Sequence, residues 1–207
     1  MRVVHLRADD ALDDDVGLGV LVGLRGGVLL GADDGLRDVV DVAVEYADLI
    51  AAELPAAGAA YVQIDEPSLG AWEDDFAVRC LERVVAAAPD GIRVALHACS
   101  SDLHAAFEVP VDEVSVPAAG STGIPLADLA EAPPTADVGV GVVDSSSPAV
   151  ESVGEIRRRI DRVTDVVDHR RVILTTDCGL GQLSRSVAFE KLDNVTSAAR
   201  DVRRGLR

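Results

Sequence analysis

From residue 58 onward the chain repeats one pattern, and that pattern narrows the fold more than anything else in it. Short apolar runs alternate with amphipathic stretches. The strand-like runs are Ala60–Ile64, Arg93–Leu96, Glu113–Val116, Val138–Val143 and Val172–Leu174. The helix-like stretches are Asp74–Ala88, Ser101–Phe107, Leu126–Ala130, Pro148–Val167 and Ser186–Arg204. Strands alternating with helices predict parallel β/α units, the arrangement of an α/β fold. Within Pro148–Val167, the residues Val150, Val153, Ile156, Ile160, Val163 and Val167 recur every three or four positions, the spacing of one buried helical stripe. Ser147 is the expected N-cap there and Pro148 the expected first helical residue.

The residues before this region follow a different pattern. Leu36–Leu54 reads as a helix with Val39, Val40, Ala43, Ala47 and Ile50 on one face. Val16–Leu24 and Gly27–Gly31 are rich in Gly and Val, and the expectation is a hairpin turned at Arg25-Gly26. The acidic stretch Asp9–Asp15 is expected to be a solvated loop. No internal repeat or flexible linker interrupts the chain.

Composition excludes several function classes. At 48% hydrophobic over 207 residues, the chain has material for a real core and is not a disordered chain. No apolar run approaches the roughly 18–20 residues of a membrane span. Acidic residues number 36 against 19 basic, a net charge of −17. Such a surface repels phosphates, so neither nucleic acid nor an anionic membrane is an expected partner. The acids are 25 Asp and 11 Glu, and the bases are 18 Arg and one lysine, Lys191. Dense carboxylates of this kind lead us to expect a halophilic, salt-adapted protein. The N-terminal residues are broken by charge rather than forming a secretory apolar stretch, so the expected location is cytoplasmic.

Three short motifs close three of the strand-like runs. In Gln63-Ile64-Asp65-Glu66-Pro67, an apolar strand ends in two carboxylates and a proline. In His97-Ala98-Cys99, two ligand-type side chains stand two residues apart, so extended backbone points them the same way. In Thr175-Thr176-Asp177-Cys178-Gly179-Leu180, another apolar strand delivers a cysteine into a turn. The C-terminal ends of the strands of a parallel barrel open on one face, where chemistry collects. One imidazole and two thiolates suit zinc with one position left open. Spacing alone leaves a second reading open. Buried cysteine packs as a small hydrophobe, and Asp65 and Glu66 also suit strand capping or the surface. Cys80, inside a helical stretch, reads as core filling, and His5, His104 and His169 have no ligand-like neighbours.

Taken together, the motifs resemble the catalytic domain of cobalamin-independent methionine synthase. The resemblance rests on Gln63-Ile64-Asp65-Glu66-Pro67, His97-x-Cys99, Asp144 to Pro148 and Asp177-Cys178-Gly179-Leu180. It covers residues 36–207 and leaves 1–35 as a divergent N-terminal segment. It implies a (β/α)8 TIM-type barrel, incomplete at its N-terminal end. It implies methyl transfer from a methyl-tetrahydrofolate or a methyl-corrinoid to homocysteine, with Zn2+ holding the acceptor sulfur. By the same resemblance His97, Cys99 and Cys178 are zinc ligands, and Asp65 and Glu66 belong to the substrate site. Three positions depart from the family. The fourth zinc ligand, a glutamate, falls at Pro117. The proton-donating histidine falls at Ser146. A folate-contacting glutamate falls at Ala71, with Glu73 close by. The departures keep two alternatives open: a non-catalytic zinc-binding paralogue needing a partner chain for the early strands, and a corrinoid-dependent methyltransferase with another thiol acceptor.

Overall fold

The computed structural model describes residues 6–7, 19–23, 47–48, 51–52, 56, 58–66, 69, 76–99, 103–120 and 124–205. In chain order the principal elements are β1 (Leu6–Arg7), β2 (Gly19–Gly23), β3 (Tyr61–Asp65), α1 (Phe76–Val85), β4 (Arg93–His97), α2 (Leu103–Glu108), β5 (Glu113–Pro117), β6 (Asp137–Gly141), α3 (Val153–Thr164), β7 (Val172–Thr175) and α4 (Arg185–Gly205). Two short 3-10 helices, Leu126–Glu131 and His169–Arg171, lie ahead of β6 and β7. The chain divides into two compact units. One comprises Met1–Val3 and Asp15–Val114, the other Val4–Asp14 and Ser115–Arg207.

In the first unit, β2, β3 and β4 run parallel. Ile64 lies opposite Leu96 and Asp65 opposite His97. Val62 and Ile64 are fully buried and alternate with the half-buried Tyr61, Gln63 and Asp65. In β4 every residue after Arg93 is buried, as expected of a parallel strand covered on both faces. In α1, Val78, Leu81 and Val84 form the buried stripe. The start of β5 carries a buried carboxylate, Glu113, which accepts the Tyr61 hydroxyl at 3.2 Å and lies 3.8 Å from Arg93. Burial, with the Glu113 charge beside it, pushes the Tyr61 phenol far above its usual range.

The strand expected over 16–24 materialises at Gly19–Gly23, but as a parallel neighbour of β3. The other arm of the expected hairpin, Gly27–Gly31, lies outside the described residues. So do Asp9–Asp15 and nearly all of Leu36–Leu54.

In the second unit, β6 and β7 are parallel and β1 pairs antiparallel with β7. Helix α3 buries Ile156, Ile160 and Val163. It begins later than expected: Ser147 and Pro148 lie ahead of it, and Ser152 is the N-cap. The reason is a reciprocal cap. Ser152 Oγ accepts the Glu155 N–H at 3.3 Å, and the Ser152 N–H donates to Glu155 Oε2 at 2.8 Å. Ser147 has Val150, not a glutamate, three residues on. Leu126–Ala130 also differs from expectation. It forms a 3-10 turn, with Asp128 N–H donating to Pro125 O and Ala132 N–H to Leu129 O, and is too short for α-helical bonding to repeat.

Candidate metal centre

The β4 end is built by the strand itself. His97 is its last residue and is 5% exposed. Ala98 beyond it is fully buried, and Cys99 is half-buried. The potential ligand atoms of His97 and Cys99 lie within 4.8 Å of each other. The His97 carbonyl accepts the Glu66 N–H at 3.0 Å, which locks the exit of β3 to the exit of β4. In-register residues of parallel strands share a face, so Asp65 and His97 emerge on the same side of the sheet. Gln63 Nε2 donates to Asp65 Oδ1 at 2.8 Å and fixes that carboxylate. Glu66 is buried, at 9% exposure.

The β7 end is built by a clamp. Cys178 stands three residues past the strand and is exposed. The buried Asp177 before it accepts three successive backbone N–H groups. Ala118 and Ala119 reach Oδ1 at 2.9 Å each, and Gly120 reaches Oδ2 at 2.6 Å. The Asp177 N–H donates to Val143 O at 3.0 Å, and Thr176 Oγ1 donates to Cys178 O at 2.7 Å. Burial pushes the Asp177 carboxyl up, against the pull of those three N–H groups. Gly141 leaves the room for it. A Cβ there would overlap Asp177 Oδ1 and lie 2.7 Å from its Cα.

The loop after β6 rests on a buried ion pair. Lys191, on α4, is wholly buried; its Nζ donates to Glu151 Oε2 at 2.7 Å and to Ala149 O at 2.5 Å. Glu151 Oε1 accepts the Asp144 N–H at 2.7 Å and faces Arg159 at 3.4 Å. Burial works against the Glu151 charge, but Lys191 and the backbone donors outweigh it and hold its pKa below the usual carboxylate value. Asp144 accepts both the hydroxyl and the N–H of Ser146, and chiefly that hydroxyl lowers its pKa. Ser146 itself is exposed.

The structure thus brings Asp65, Glu66, His97 and Cys99 together at the ends of β3 and β4, and puts Cys178 just past β7. Pro117 is the buried last residue of β5 and offers no ligand atom. Ala71 and Glu73 lie outside the described residues. Cys80 is half-buried in α1, and burial raises its thiol pKa, in keeping with a filler role. The sequence reading gave no role to Asp177, Glu151 or the pairing of Lys191. The one local signal is a lone lysine among 18 arginines; the Asp177 partners lie 57–59 residues away and leave none.

Residues 33–201 match the family described as cobalamin-independent synthase, catalytic domain. The chain belongs to this family. It is 33% identical over 172 residues to a methionine synthase of Pyrococcus furiosus, covering 79% of this chain and 50% of that protein. It is 35% identical over 173 residues to a methionine synthase of Methanothermobacter thermautotrophicus, covering 79% and 54%. The chain therefore spans about half the length of the curated relatives it matches. A B12-independent methionine synthase from a Shewanella species, solved with selenomethionine, superposes with a TM-score of 0.68 at 23% identity, covering 84% of this chain and 57% of that one. That likeness establishes the fold as the α/β, TIM-barrel type of the family.

Proposed function

We propose that the chain transfers a methyl group to the thiol of homocysteine, with a zinc ion held by His97, Cys99 and Cys178. The observation that carries this is the strand-built pair His97 and Cys99 in a chain matched to that catalytic domain over 33–201. One imidazole and two thiolates are a zinc donor set. An ion held by such a set would keep an acceptor sulfur as thiolate at neutral pH, where a free thiol is mostly protonated. With Pro117 standing where the family carries a glutamate, His97, Cys99 and Cys178 would be the protein's ligands to such an ion.

The chain's own groups then supply binding and orientation. Asp65, steadied by Gln63, pairs with the homocysteine ammonium beside the buried His97, where the attraction counts for more than in open water. Ser146 lacks the proton-transfer capacity of the family's histidine, so turnover is slow. The methyl donor is a methyl-folate or a methyl-corrinoid.

Calorimetric titration of homocysteine into the zinc-loaded protein tests the reading, followed by assay with each donor. Homocysteine binds, and Asp65→Asn weakens it by ~2–3 kcal/mol, the scale of a charge-assisted bond, with zinc content unchanged. Binding without transfer from either donor favours the non-catalytic paralogue. Absence of homocysteine binding with zinc present rejects the proposal.

A further inference from the structure

We propose that Asp177 is a positioning residue that sets the Cys178 thiolate in place as a metal ligand, through a cradle formed by Ala118, Ala119, Gly120 and Gly141. The inference rests on the zinc reading above and adds a residue that acts through its neighbour.

A ligand on a strand inherits its direction from the backbone ladder. Cys178 has no ladder, since β7 ends at Thr175. Its direction depends on what fixes the peptides on either side. The Asp177 N–H is tied to Val143 O, and the Cys178 carbonyl accepts from Thr176 Oγ1. The Asp177 carboxylate adds the third restraint by taking three consecutive N–H groups of the segment after β5, an anion-binding concavity filled by the chain's own side chain. The cradle has no slack. A Cβ at Gly141 would overlap Asp177, and one at Gly120 would lie 3.0 Å from Oδ2. Asparagine fits the same space but turns an amide N–H2 toward at least one of the three N–H donors, so the cradle opens. Groups that orient metal ligands typically change metal affinity ~10–100-fold when removed.

Cobalt(II) substitution tests this, because thiolate-to-cobalt charge-transfer absorption scales with the number of bound thiolates. The cobalt-loaded wild type should show two thiolates, and Cys178→Ser, which loses its metal on purification, should set the one-thiolate level when saturated with added cobalt. Asp177→Asn should keep its fold by circular dichroism, bind cobalt at least ~10-fold more weakly and fall to the one-thiolate level. Gly141→Ala should do the same by displacing Asp177. If Asp177→Asn does not fold, the milder Gly120→Ala decides. A variant with lower thermal stability but the wild-type absorption and affinity would show a merely structural role and overturn the inference. A wild type with no thiolate–cobalt band would overturn the zinc reading, and this inference with it.

Discussion

The ends of β4 and β7 both present ligand-type side chains, and they hold them in opposite ways. At β4 the ladder does the work: His97 is the last paired residue, and its chain neighbours Leu96 and Ala98 are fully buried. At β7 the cysteine has left the ladder, and polar groups take over: the Asp177 clamp, with the Glu151–Lys191 pair under the neighbouring loop. The first kind of placement is paid for in hydrophobic packing. The second depends on desolvated charges that are stable only while every partner stays in place.

That contrast can be broken at either end. The largest effect is expected at Lys191. Lys191→Met takes the buried cation from the half-buried Glu151 and leaves it Arg159 alone, which should cost up to about 3–5 kcal/mol in denaturant unfolding. A loss below ~1 kcal/mol would mean the pair is dispensable and the polar account of the second unit is wrong. On the apolar side, Leu96→Ala in β4 removes a fully buried side chain and should cost about 2–5 kcal/mol by the same measurement. A smaller effect is expected from Ser152→Ala, which removes half of the reciprocal cap of α3 and should cost ~1 kcal/mol.

The acid limb of stability sharpens the comparison further. Glu151 has a folded-state pKa below its ordinary 4.5. Its contribution is therefore present above that value and is lost as pH falls through the lower folded value. Thermal midpoints of the wild type should drop as pH falls below about 4.5. In Glu151→Gln that part of the drop should shrink, because the group no longer titrates. An unchanged acid limb in the variant would remove Glu151 from the account.

The same contrast explains what could be read from the sequence. The parallel β/α order, the five strands from β3 to β7 and the His97-x-Cys99 pair were legible because each is a local pattern: apolar runs, helical spacing, a two-residue alternation. The true cap of α3 was also local, since Ser152 and Glu155 stand three apart, but Ser147-Pro148 offered a rival start signal. The pairing of β2 with β3, the Asp177 cradle and the burial of Lys191 were not legible. They join residues about 40 to 59 positions apart, and no period or spacing in the sequence encodes such contacts. The charge count could even mislead, because it averages over a surface and cannot show that the one lysine is wholly buried.

The central claim is that ligands held by a strand and ligands held by a clamp serve one zinc ion. Metal analysis of the purified wild type, Cys99→Ser, Cys178→Ser and Cys80→Ser tests it most directly. The account predicts one zinc per chain in the wild type and in Cys80→Ser, and loss of zinc in both Cys99→Ser and Cys178→Ser. Equal zinc retention in all three variants would contradict it.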